Sequence, residues 1–284
     1  MHRKARVGSL TAITCLIALG FPYGGYAGTV GNPANTDLPT TMGAFNIRGE
    51  KKVSIKAGLD YEFLMNRDLK ADGPSTGKIN IDKADWIMGR LSCLFFDHIE
   101  PYIKVGTAHV KTRWIDDNIE LKLESNYDAA YAVGGKVLIW DFLRPKLKLV
   151  GDGFWRTAKL NPDEGSHGIV KLDLDNNKSR IDYQEWQTAL LLSSEFDVGN
   201  ADREEVLGVS LLVPYVGVKY SDVRMRLRSV VSDALYYNPG RVKAKDNFGF
   251  FAGCDFTGPN AISVSVEGRF LDETAITAGF TVVF

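Results

Sequence analysis

The chain has 284 residues, with 34 Lys and Arg against 35 Asp and Glu, a formal net charge of −1. That balance, with no basic stripe, argues against a nucleic-acid partner. After the first thirty residues no run of eighteen consecutive apolar residues occurs, so no transmembrane helix is expected.

Residues 1–27 read as a signal peptide. His2, Arg3, Lys4 and Arg6 make a basic start, Leu10 to Phe21 is mostly apolar, and Gly25-Tyr26-Ala27 puts small residues, Gly25 and Ala27, at the −3 and −1 positions of a cleavage site. The apolar part is short for a membrane span. Thr14 precedes Cys15 and the apolar run continues past it, which does not fit a lipoprotein site. Residues 28–50 contain Gly31, Asn32, Pro33, Asn35 and Pro39, a turn-rich composition. They are expected to be a periplasmic leader or a segment tucked into a lumen.

From residue 51 to 284 a transmembrane β-barrel is expected. Val53, Ile55, Ala57, Leu59, Tyr61 and Phe63 alternate with Ser54, Lys56, Gly58, Asp60 and Glu62. Successive strand side chains point to opposite faces, so one face is apolar and the other polar. Eleven residues exceed the usual soluble strand of about 5–6 and match the roughly 9–11 of a tilted membrane strand. The pattern returns at Ile87–Phe95, Tyr127–Ile139, Trp186–Leu192, Phe248–Phe256, Ile262–Phe270 and Ile276–Phe284, while 101–115 and 208–224 have mixed faces. Ten antiparallel up-and-down strands are predicted, near 51–65, 79–96, 101–115, 126–142, 145–160, 181–195, 208–224, 246–257, 261–270 and 274–284, with eight or twelve as alternatives. Pro101, Pro145, Pro214 and Pro259 are read as strand starts, where a missing ladder donor is tolerated. The polar stretches 66–78, 116–125, 161–180 and 225–245 are read as long extracellular loops opposite short periplasmic turns. Cys93 and Cys254 fall on non-adjacent strands facing outward, and are read as lone apolar-facing thiols.

The end of the chain carries the most specific motif. Phe284 is preceded at every second position by Val282, Phe280, Ala278 and Ile276. This resembles the signature by which the barrel-assembly machinery recognises its substrates, so Phe280, Val282 and Phe284 are the expected assembly signal. The whole expected mature chain, residues 28–284, resembles the small bacterial outer-membrane β-barrel class, the broad group that includes OmpA-like barrels. That resemblance implies an outer-membrane location, with the lipid and the assembly machinery as partners. Val30-Gly31-Asn32-Pro33-Ala34 also resembles the start of the mature chlamydial major porin. The chain is short for that porin and lacks its many cysteines, so porin function is not carried over.

The inward faces carry the candidate site: Lys56, Asp60, Glu62, Arg90, Lys136, Lys148, Asp152, Arg156, Glu185, Lys219, Asp255, Glu267 and Arg269. A barrel of this strand number is nearly filled by its own side chains. These charges therefore make either a salt-bridged polar core or a narrow pore with charged rings. Tyr61, Phe63, Phe95, Phe96, Tyr102, Trp140, Phe142, Trp155, Trp186, Tyr215 and Tyr220 are read as interfacial girdles. Ten-stranded barrels include the omptin proteases, and Asp116, Asp117 and His167 fall on expected outer loops. The Asp-x-His element of that family is absent, which leaves a surface hydrolase as a remote reading. The residues show no metal-ligand spacing, and no cofactor is expected. The expected function is an integral outer-membrane barrel with a structural or surface-interaction role, the alternative being a low-conductance, porin-like channel for ions or small solutes.

Overall fold

The computed structural model describes residues 45–47, 50–72, 78–96, 98–116, 119–142, 147–168, 170–173, 179–198, 211–232, 235–237, 240–258 and 262–284. The expected signal peptide, Val30–Ala34 and most of the segment 28–50 lie outside them. Of that segment Phe45–Ile47 is described as a short strand, β1, on the foot of the first long strand.

Ten long strands build the wall: β2 (Glu50–Ala71), β3 (Lys78–Phe95), β4 (Ile99–Asp116), β6 (Asp128–Phe142), β7 (Leu147–Leu160), β10 (Arg180–Ser194), β12 (Leu211–Ser232), β15 (Phe248–Thr257), β16 (Ile262–Phe270) and β17 (Thr274–Val283). Six more short strands complete the described set: β5 (Ile119–Ser125), β8 (Pro162–His167), β9 (Val170–Asp173), β11 (Phe196–Asp197), β13 (Leu235–Tyr237) and β14 (Gly240–Ala244). Each wall strand pairs antiparallel with the next. β17 then pairs back onto β2, from Ile276↔Phe63 to Val283↔Lys56, and closes the barrel. Closure leaves no wall strand with an unpaired edge. The expected ten-strand count and the pairing of the last strand with the first are both present.

The barrel has two storeys that share most of their wall strands, the upper one adding β5, β9 and β14. Near the end that holds Phe284, outward positions are apolar and exposed, as at Ile103, Val133, Leu190, Val216, Phe250 and Ile276. Inward positions there are charged and buried. Toward the opposite, loop end the polarity inverts. Inward positions become Leu64, Ile79, Ile81, Trp86, Val110, Leu123, Leu160, Ile181, Val223 and Leu227, which belong to one buried apolar cluster. Outward positions become Lys111, Arg113, Lys122, Asp182, Arg224 and Lys243.

This inversion explains the two mixed segments. In β4 the apolar phase runs on odd residues at Ile103 and Val105, then on even residues at Ala108, Val110 and Trp114. In β12 it passes from Val216, Val218 and Tyr220 outside to Val223, Met225 and Leu227 inside. The side chains keep alternating; the surroundings of the two faces change. In β3 a register shift between Ile81 and Lys83 adds a local break in phase.

Three expectations are corrected. Much of the stretches read as long loops is strand: β2 runs to Ala71, β4 and β5 form a hairpin, β8 pairs with β5 and β9, and β14 bridges β12 to β2. These polar residues face water on the outside of an apolar core, so they resemble loop composition without being loop. Pro101 and Pro214 lie inside β4 and β12 rather than at their starts. The ladder from β4 to β3 is interrupted between Tyr102 and Ile99, so the missing donor of Pro101 costs no bond there. Pro145 and Pro259 lie outside the described residues. Tyr102 and Tyr215 point inward, 4% and 2% exposed, and take no part in a girdle. Each fits because a glycine on the adjacent strand leaves room: a Cβ on Gly134 or Gly253 would strike the Tyr102 or Tyr215 ring within 2.6 Å. Trp140, Trp186, Tyr220 and Phe96 are outward and exposed. Cys93 and Cys254 are free and half-buried, on strands that do not neighbour each other.

Candidate functional site

The inward charges of the Phe284 half form two connected groups. The first lies nearest that end. Lys56 Nζ reaches Glu100 Oε2 at 2.8 Å, and Ser92 donates to the other Glu100 oxygen at 2.8 Å. Lys104 meets Asp60 at 2.6 Å, Arg90 approaches Asp60 at 3.8 Å and donates to Thr281 at 2.6 Å. Tyr102 donates to Asp152 at 3.0 Å, and Lys148 pairs with Glu195 at 2.5 Å. Lys136 is buried in the same group, opposite Asp152 on the β6–β7 ladder.

The second group lies above it, under the apolar core. Arg156 bonds Glu185 at 2.5 Å and Glu62 at 2.8 Å; Arg269 bonds Glu62 at 2.7 Å and Glu273 at 2.9 Å. Lys219 holds Glu273 at 2.6 Å and Asp272 at 2.8 Å. Arg67 joins Glu273 at 2.8 Å, Glu185 at 3.0 Å and Ser221 at 2.7 Å. Tyr183 donates to Glu185 at 2.8 Å. Four cations thus face four carboxylates. Burying one such charge alone costs several kcal/mol, and only mutual pairing with further hydrogen bonds offsets that cost. Glu267 approaches Arg269 at 3.8 Å, and Asp255 is buried nearby on β15.

The two storeys meet around Arg156, Trp86 and Tyr183. The Arg156 guanidinium lies 4.1 Å from the centroid of the Trp86 ring, within cation–π range. Trp86 in turn packs on Tyr183, with ring centroids 4.9 Å apart.

All thirteen predicted lumen residues point inward, and twelve of them are no more than 8% exposed. Glu62 is the exception, with a side chain 12% exposed. Sequence reasoning missed Arg67, Glu100, Lys104, Ser221, Asp272 and Glu273. Arg67 fell in a stretch read as loop; Glu100, Asp272 and Glu273 fell in turns. The usable signal was Leu64 and Leu69 flanking Arg67 in β2, which marks that stretch as buried strand. Phe280 and Phe284 are exposed on the outward face, Val282 is half-buried there, and the Phe284 N–H donates to Ile55 O at 2.9 Å.

The residues considered for hydrolysis are only partly described. Asp117 and the Asp116 side chain lie outside the described residues, and His167 sits on β8 paired with Leu121 and Val170. His109 instead lies between Asp85, 3.3 Å from Nδ1, and Glu124, 3.2 Å from Nε2, on the outer surface. There the hydrogen bond from Lys111, at 2.6 Å, holds the Glu124 carboxyl below the usual range, with His109 adding to the effect. Among the described residues no cluster of His, Cys, Asp and Glu is arranged to hold a metal ion.

No protein-family model matches the chain, and no curated protein matches it. Among solved structures it is similar to the outer-membrane protease OmpT of Escherichia coli, at 14% identity over 86% of this chain and 100% of that one, with a TM-score of 0.46. It is also similar to the outer-membrane protein OprG of Pseudomonas aeruginosa, at 12% identity over 82% and 96% of the chains, with a TM-score of 0.37. The transport unit of the autotransporter AIDA-I of Escherichia coli gives 10% identity over 88% and 96%, with a TM-score of 0.38.

Proposed function

We propose that this chain is an integral outer-membrane barrel with a structural or surface-interaction role, sealed against solutes. The belt supports the membrane placement. Monomeric soluble proteins rarely expose a contiguous apolar band of this kind. The eleven outward-alternating residues of β2, Val53 to Phe63, rise roughly 25 Å on a strand tilted by about 40°, the height of an outer-membrane apolar band.

The observation that carries the sealed reading is the double closure of the interior. Paired charges fill the membrane storey, and the apolar cluster around Trp86, Leu64 and Leu123 fills the storey above it. A charged ring selects ions only where water can reach it. The loop end, with its charged outer face, is the surface offered to the exterior. The expected partners remain the surrounding lipid and the machinery that inserts the barrel.

Planar-bilayer recording of the refolded full chain tests this reading. Silence is expected, provided that heat-modifiable gel migration shows a folded barrel in the same sample. Reproducible conductance steps would reject the seal and favour the narrow-channel alternative.

A further inference from the structure

On the outer wall, directly above the belt, one sector is built unlike the rest. Trp155 and Trp186 face each other across β7 and β10, with ring centroids 6.2 Å apart. Two residues further up the same strands, an outward row runs Thr157, Gln184, Arg224, Lys243 across β7, β10, β12 and β14. Two residues beyond that, a second row runs Lys159, Asp182, Arg226, Arg241. These eight residues, with Asp72 and two buried neighbours, line a cleft of about 590 Å³.

The charge pattern of the cleft is costly as it stands. Arg226 lies directly opposite Arg241, and Arg224 directly opposite Lys243. Like charges directly opposed on a ladder destabilise it. The carboxylates nearby are engaged: Asp72 with Lys243 at 2.7 Å, Asp182 with Arg180 at 2.9 Å, and Asp222 with Arg224 at 2.8 Å. Five cations against two carboxylates leave the lining positive. A soluble strand surface would place opposite charges at such positions. The pattern becomes favourable when an anion sits between the rows, and planar guanidinium forks suit phosphate in particular.

Height selects the anion. The cleft begins one ladder step above the Trp pair that marks the upper edge of the belt, the level of lipid headgroups. We propose that this cleft binds the phosphorylated headgroup of an anionic lipid in the leaflet at the loop end. The acyl chains lie along the belt below, against Trp155, Trp186 and Tyr220, while the phosphate is held by Arg224, Arg226 and Arg241. This inference rests on the membrane placement proposed above.

The test uses the full chain in nanodiscs of phosphatidylcholine, with or without added diphosphorylated lipid A, and native mass spectrometry of the lipid retained on release. The Arg226→Ala/Arg241→Ala double variant is compared with Lys111→Ala/Lys122→Ala, which removes the same charge from a different sector. Expected is retention of lipid A by the native chain and the control, and retention about thirtyfold weaker in the cleft variant, the order set by losing two basic residues at an anionic surface. In lipid-free neutral detergent Arg226→Ala should unfold later than the native chain, because it relieves the like-charge pair. Equal retention by the cleft variant and the control overturns the proposal. So does full displacement of lipid A by an equal concentration of inorganic phosphate, which would make the cleft a free-anion site. Failure of the native chain to enter phosphatidylcholine nanodiscs at all would instead reject the membrane placement.

Discussion

The belt storey and the loop-end storey share most of their wall strands, yet they solve burial in opposite ways. Below, Val133 and Ile103 face outward and Arg156 and Lys219 face inward. Above, Arg113 and Lys122 face outward and Leu123 and Ile81 face inward. The backbone makes the same ladder in both, so the difference is one of solvent. Where the outside is lipid, apolar side chains lose nothing by pointing out, and charges gather inside in mutual pairs. Where the outside is water, the ordinary rule returns and the interior is apolar. On the membrane placement proposed above, the phase of the alternation marks the height at which the membrane ends.

The largest expected effect comes from forcing a belt-style interior on the upper storey. Leu123→Asp places an unpaired carboxylate in the apolar core and should cost about 5 kcal/mol, read as a collapse of the urea midpoint in detergent. An unchanged midpoint would mean that water reaches that core. Next comes Arg67→Ala, which strands Glu185 and Glu273 among fewer cations. A loss of about 3–5 kcal/mol is expected, since breaking a buried ionic group leaves an uncompensated charge. The double variant Arg67→Met/Glu185→Leu should recover part of it, and no recovery would show that the two do not act as a pair.

A smaller effect is expected from the reverse intrusion. Val133→Arg puts a charge on the lipid face and should cost about 2–4 kcal/mol if the position is near the bilayer centre. The same variant in a water-soluble amphipol should lose little, which separates lipid contact from packing. The smallest effect concerns Glu124 on the wetted outer face. Its folded carboxyl titrates below the unfolded one, chiefly because Lys111 bonds it, so its contribution is present above the unfolded value and is lost as pH falls through the folded one. Lys111→Ala should move the Glu124 titration upward in carboxylate NMR. An unmoved titration would remove Lys111 as the cause.

The wall was legible in the sequence because an apolar outer face and a polar inner face impose a one-residue-in-two pattern over a long stretch. Val53 to Phe63 and Ile276 to Phe284 each announce a strand, and the structure pairs them. The upper storey was hidden for a physical reason. Its strands alternate too, but their outward Lys, Arg, Asp and Glu resemble an extracellular loop, as in 225–245, where β14 carries Arg241 and Lys243 outward and Val242 and Ala244 inward. The inward charges of the belt were found by position alone. Their partners were not, because Arg67 and Glu273 come together from residues 206 positions apart.

The turn Leu271–Glu273 between β16 and β17 gives the last hairpin a further role. Asp272 and Glu273 enter the interior and meet Lys219 from β12, Arg67 from β2 and Arg269 from β16. Leu271, at φ 82°, turns the chain so that both acids point in while its own side chain stays 74% exposed. Until that hairpin docks, three cations from separate parts of the chain lack these acidic partners. Seam closure and interior neutralisation are therefore one event: the β16–β17 hairpin completes the electrostatics of β2 as well as its ladder.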